Sequence, residues 1–116
     1  MLNKTTRQEL AEKVLANNAV LVEALPERYY VDLHLPGARH LPHDQVEALA
    51  SRVLPDKDAE IVVYCANAQC QNSHVAARAL AKLGYRKVSV YAEGKQDWIE
   101  AGLPVEQGPQ RLAEIA

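Results

Sequence analysis

The 116-residue sequence predicts an α/β domain of three layers, α/β/α, built on a central parallel sheet. Three observations carry this expectation. Short apolar runs bounded by turn residues alternate with segments of helical spacing, the pattern of strand–helix–strand units. The run Glu60-Ile61-Val62-Val63-Tyr64 is β-branched, aromatic and continuous rather than alternating, as a strand reads when both of its faces are covered. An Ala-rich stretch from Ser73 to Leu83 comes after it and ends at Gly84, a residue suited to the left-handed position after a helix.

Thr5, Thr6, Gln8 and Glu9 offer two overlapping capping boxes, so a helix begins near residue 6. Leu10, Val14 and Leu15 form its apolar stripe, and Asn17-Asn18 end it. Ala19 to Ala24 reads as a buried strand. Leu25 to Pro42 holds three prolines and a glycine and is expected to be mostly loop, with a very short strand within Gly37–Leu41. Asp44 is expected to cap a second helix running to about Arg52, with Val46, Leu49 and Ala50 inward. Cys65 to Asn72 is a polar loop. Lys87 to Tyr91 is a further strand, and Gly94 to Ala101 a short helix closed by Gly102. Leu103-Pro104-Val105 turns back toward the sheet, and Arg111 to Ala116 adds a last turn.

Composition narrows the function classes. Hydrophobic residues make up 48% and charged residues 24%, so the chain can bury a core. A single domain over residues 1–116 is expected. A net charge of −2 gives no electrostatic footprint for nucleic acid. No apolar run reaches the roughly 18 residues of a membrane span, and the N-terminus lacks a signal-peptide core. With two cysteines only, the expected compartment is a reducing cytoplasm.

Chemistry concentrates at Cys65. In parallel α/β sheets ligands sit beyond the carboxyl ends of the strands, and Cys65 leaves the carboxyl end of the strongest one. The polar loop and the helix start near Ser73 offer free backbone N–H groups, which favour an anion and are expected to lower the thiol pKa. A reactive thiol, a persulfide or a bound sulfur oxyanion fits this setting without a cofactor. The competing reading is a buried, inert cysteine. Cys70 reads as an incidental loop residue, as a resolving thiol for Cys65, or as a ligand with Cys65 and His74. A metal is not expected, because a fourth ligand is missing.

At these residues the sequence resembles the rhodanese-like domains. His34-Leu35-Pro36-Gly37-Ala38 matches the family's H-[IL]-P-G-A turn, and Tyr64-Cys65 after Ile61-Val62-Val63 matches its strand and active-site cysteine. Ala76-Ala77 and Leu80 to Tyr85 match the family's next helix. Val88 to Tyr91, Glu93-Gly94, Trp98 and Ala101 to Val105 match the closing segment. The resemblance implies a sulfurtransferase that carries sulfane sulfur as a persulfide on Cys65. Its implied partners are a sulfur donor and a thiol or protein acceptor, with an active-site loop of Ala66, Asn67, Ala68, Gln69, Cys70, Gln71, Asn72 and Ser73. A non-catalytic binding or regulatory module, and a Cys65/Cys70 redox module, are the alternatives.

The departures are specific. Seven residues separate Cys65 from Ser73, about two more than the family pattern, and none is a cation. Family members that use thiosulfate often place Arg or Lys there, so weak thiosulfate:cyanide activity is expected. The family's D-V-R is Glu23-Ala24-Leu25, its Arg lost and Cys70 added. Phosphatases of this class need Arg six residues after the cysteine; Gln71 stands there and excludes that chemistry.

Outside the loop the expectations are plainer. His74, on the first turn after the loop, is a candidate auxiliary group. His34 reads as a loop anchor, and His40 and His43 as exposed loop residues. Trp98 reads as packing. Tyr29-Tyr30 line the pocket mouth or fasten the long loop. Arg39, Arg86 and Lys95 are solvated charges on the plain reading.

Overall fold

The computed structural model describes residues 3–110. Five strands alternate with five helices: β1 (Asn3–Lys4), α1 (Arg7–Ala16), β2 (Val20–Glu23), α2 (Glu27–Asp32), β3 (Arg39–His40), α3 (Val46–Val53), β4 (Glu60–Tyr64), α4 (Asn72–Lys82), β5 (Lys87–Tyr91) and α5 (Gly94–Glu100). The sheet runs β1-β5-β4-β2-β3, and every pairing is parallel. Among the described residues no helix is long and apolar enough to cross a membrane.

The continuous apolar run of β4 is explained by two covered faces. Ile61 and Val63 point into a core with Val46, Ala50 and Val53 of α3 and Ala76, Ala77 and Leu80 of α4. Val62 and Tyr64 point the other way, into a core with Leu10 of α1, Tyr30 of α2 and Trp98 of α5. Alternate residues therefore serve opposite layers, and none of these four faces water. The expected three-layer α/β/α architecture is the observed one.

Local chemistry sets the helix ends. Thr6 caps α1: its hydroxyl accepts from the Glu9 N–H, and the Glu9 carboxylate accepts from the Thr6 N–H, both at 3.1 Å. Asn17 closes α1 in the left-handed conformation, φ 55°. Gly84, φ 96°, lies just beyond α4.

Several expectations are corrected. The first proposed cap, Thr5, instead joins the sheet edge, its N–H on Val90 and its hydroxyl 2.8 Å from that of Ser89. The edge strand β1 lacks a sequence signal because its two residues are polar and exposed. Leu15 is 89% exposed and is not part of the apolar stripe; Leu10 alone of the three is fully buried. The stretch read as loop after Leu25 contains α2, which starts behind Pro26 and is only six residues long. A six-residue helix shows too few turns to display a period. Asp44 is not the cap of α3. The chain enters that helix through a turn in which the Gln45 N–H donates to the Pro42 carbonyl, and α3 begins at Val46 without a side-chain cap. The last turn expected over 111–116 lies outside the described residues.

The return of 103–105 is anchored at both ends. Trp98 Nε1 donates to the Pro104 carbonyl at 2.8 Å, and Glu106 forms an antiparallel bridge with His34.

Candidate active site

Cys65 comes directly after β4, and its backbone is held from α5. The Lys95 N–H donates to the Cys65 carbonyl at 2.8 Å, and the Gln96 N–H to the Ala66 carbonyl at 2.9 Å. The approach is possible because residue 94 is glycine. A Cβ there would lie 2.7 Å from the Asn67 nitrogen and 2.8 Å from the Cys65 oxygen.

Within the loop, Asn67 acts as the organising residue. Its side-chain oxygen accepts from the N–H groups of Gln69 and Cys70, both at 3.1 Å, and its carbonyl accepts from the Cys70 N–H at 3.1 Å. Asparagine side chains shape turns in this way. Ala68 and Gln69 are exposed at the tip, Gln71 is exposed, and Asn72 is the first residue of α4.

The Cys65 thiol is 1% exposed and has three polar neighbours. Its sulfur accepts from the Ser73 N–H at 3.4 Å, lies 3.3 Å from the Ser73 hydroxyl, and can donate to the Cys70 carbonyl at 3.4 Å. The Ser73 N–H belongs to the first turn of α4, where no intrahelical acceptor exists for it. The expected helix-terminus donor is therefore present. The expected lowering of the thiol pKa is overturned. Burial pushes the Cys65 pKa up to about 11, and the neighbouring Cys70 side chain adds to the rise by hydrogen bonding and by charge. The Ser73 hydroxyl and N–H pull the other way and are outweighed. One consequence is measurable on Cys70→Ser, where Cys65 is the sole thiol. Its alkylation by iodoacetamide should be slow at neutral pH and climb about tenfold per pH unit, with the thiolate fraction, because burial, the largest cause of the raised pKa, remains in the variant. A rate that levels near pH 7 would show that burial does not govern this thiol.

No Lys or Arg is among the described hydrogen-bond partners of the thiol. Lys95 is buried rather than solvated: its Nζ bonds to Glu23 at 3.0 Å and to the carbonyls of Tyr29 and Leu33. Glu23 is fully buried and also accepts from the Tyr64 hydroxyl at 2.8 Å. Burial raises the Glu23 pKa against the pull of Lys95 and Tyr64. Sequence reasoning missed this pair, whose members lie 72 residues apart in the chain. Arg39 is also half-buried, donating to the Val53 carbonyl, whereas Arg86 keeps to an exposed pair with Asp58.

His74 does not join the thiol. It lines a separate groove with Arg78, Lys82 and Arg86, and no described hydrogen bond links it to Cys65. His34 anchors the loop as expected, its Nδ1 2.8 Å from the Tyr30 carbonyl and its ring stacked on Tyr30. His40 is tied in as well, its Nε2 2.6 Å from the Leu25 carbonyl. Tyr30 fastens the long segment through Ala38, while Tyr29 lines a groove of ≈ 380 Å³ beside the loop with Leu25, Leu33, Ala66, Asn67 and Ile99. Among the described residues no cluster of three or more His, Cys, Asp or Glu is placed to hold a metal. Both cysteines are free thiols.

Known proteins place this geometry in context. The chain is 34% identical over 103 residues to the HTH-type transcriptional regulator Rv0324 of Mycobacterium tuberculosis, covering 89% of this chain and 44% of that protein. It is 33% identical over 69 residues to the putative sulfur carrier protein YrkF of Bacillus subtilis, covering 60% of this chain and 35% of that protein. The chain thus spans less than half the length of these two relatives. The thiosulfate sulfurtransferase of Pseudomonas aeruginosa superposes with a TM-score of 0.80 at 25% identity, over 92% of this chain and 20% of that one. The Rhodanese-like domain profile matches residues 6–101, from the cap of α1 through the end of α5, and the chain accordingly belongs to the rhodanese-like domain family.

Proposed function

We propose that this domain transfers sulfane sulfur, carrying it as a persulfide on Cys65 and passing it to a thiol acceptor. The observation that carries the reading is the surround of the Cys65 sulfur: a free helix-terminal N–H and a hydroxyl, both from Ser73, converge on it. When the thiol proton leaves, both can donate to the anion. Similarity to a putative sulfur carrier and to a thiosulfate sulfurtransferase supports the same chemistry.

The donor class is argued from charge. Thiosulfate is a dianion, and the nearby cation Lys95 is already bound to Glu23. An organic or protein persulfide needs no such partner, and the apolar groove along Ala66 and Asn67 suits it better. Persulfidation adds one sulfur, about 32 Da. Intact-mass spectrometry should show this gain with an organic persulfide, little of it with thiosulfate, and its loss from residue 65 in Cys65→Ser. Full loading of Cys65 by thiosulfate would contradict the charge reasoning. No gain with any donor would remove the sulfur-transfer reading.

A regulatory module is the second reading, favoured by the identity to a transcriptional regulator over most of this chain. Retention of a bound ligand by Cys65→Ser would support it, because recognition would then not need the thiol.

A further inference from the structure

The buried thiol poses a problem of access. Cys65 is 1% exposed, so the loop must part before an external donor or acceptor meets its sulfur. Cys70 lies in the same loop and is half-exposed. Its position is fixed at both ends. Its N–H is held by the side-chain and main-chain oxygens of Asn67, and its carbonyl rests 3.4 Å from the Cys65 sulfur. The peptide group that covers Cys65 is therefore that of the second cysteine. The outer sulfur of a persulfide would lie about 2 Å beyond Sγ.

Building on the sulfur-transfer reading, we propose that Cys70 is the outer station of a two-cysteine relay, through which sulfane sulfur leaves the buried Cys65 for an acceptor thiol. The Cys70 thiolate attacks the outer sulfur of the Cys65 persulfide. A new S–S bond forms on Cys70, the S–S bond on Cys65 breaks, and its electron pair remains on Cys65 Sγ. The proton given up by the Cys70 thiol is balanced by one taken up at Cys65, which returns to the S–H state facing the Cys70 carbonyl. No oxidant or reductant is consumed. An acceptor thiolate then repeats the step on the Cys70 persulfide. Attack at the outer sulfur leaves both cysteines reduced at the end of the cycle.

The test is loading with an organic persulfide to one added sulfur, then fragmentation of the tryptic peptide 58–78, which holds both cysteines with four residues between them. Wild-type protein should carry the added sulfur on Cys65 and on Cys70, in proportions that re-equilibrate with time. Cys70→Ser should still load Cys65, which shows that it is folded, yet deliver sulfur to a protein thiol more slowly by about tenfold or more, the loss of an intramolecular step. Asn67→Ala, which removes the side-chain acceptor shared by the Gln69 and Cys70 N–H groups, should slow delivery in the same direction while Cys65 still loads. Sulfur confined to Cys65 in wild type, with delivery by Cys70→Ser at the wild-type rate, would overturn the relay and leave Cys65 as sole carrier. Release of sulfide with formation of a Cys65–Cys70 disulfide would overturn it too, since attack would then fall on the inner sulfur. A wild-type protein that never gains sulfur would overturn the underlying transfer reading, and the relay with it.

Discussion

Lys95→Met should destabilise the protein by about 3–5 kcal/mol at neutral pH, the usual cost of leaving one member of a buried ion pair without its partner. Glu23 is fully buried, and Lys95 is the cation bound to it. The variant also strips the carbonyls of Tyr29 and Leu33 of a donor, loosening the end of α2. The loss should depend on pH. Burial already raises the Glu23 pKa above the ordinary carboxylate value, and removing Lys95 takes away the largest force that lowers it. A carboxyl whose folded pKa is raised binds its proton more tightly in the native state. The variant should therefore be closest to wild type below the unfolded carboxylate pKa and fall away as pH rises through the window up to the raised value. Urea denaturation at several pH values measures this. Glu23→Gln combined with Lys95→Met should recover part of the loss, because no uncompensated charge remains. Equal losses for the single and double variants would show that packing, not charge, holds this part of the molecule.

Gly94→Ala should cost about 2–5 kcal/mol, combining left-handed strain with overpacking. The new methyl would sit 2.7 Å from the Asn67 nitrogen, 2.8 Å from the Cys65 oxygen and 2.9 Å from the Ala66 carbonyl carbon. All three are backbone atoms, so no flexible side chain can yield. Relief requires the loop after Cys65 to lift from α5, which breaks the Lys95 and Gln96 bonds to the Cys65 and Ala66 carbonyls. Gly102→Ala is the matched control: its φ of +75° is nearly that of Gly94, +78°, but nothing lies within 4 Å of the added carbon. It should show only the conformational strain, about 1–2 kcal/mol. Denaturation midpoints of the two variants decide the matter, and equal losses would mean that the close approach at Gly94 carries no energetic weight.

The elements with long or chemically distinct signals are legible in the sequence. β4 and β5 read with their observed ends, and α4 within one residue at each end, because β-branched runs and a terminal glycine state their own boundaries. The Thr6–Glu9 capping box is legible because it is a contact between residues three apart. The misses share another property. β1 is two exposed polar residues that become a strand only through Ser89 and Val90 of β5. α2 is a six-residue helix stabilised by Tyr30 entering the core. Leu15 fits the helical spacing but falls where no layer covers it.

At the candidate site the division is sharper. Sequence alone determined the class of fold, the position of Cys65 at the carboxyl end of the central strand, the absence of a cation in its loop and the presence of a second cysteine there. These are properties of local order, set by the succession of residue types along the chain. Only the tertiary structure decided the state of those groups. Burial, not the helix terminus, sets the direction of the Cys65 pKa, because desolvation depends on every element packed around the sulfur. Lys95 and Glu23 are 72 residues apart and become an ion pair only when β2 and α5 meet under the loop. Gly94 became indispensable for the same reason: the space it leaves empty is filled by the backbone of Cys65, Ala66 and Asn67, which no spacing rule in the sequence relates to it.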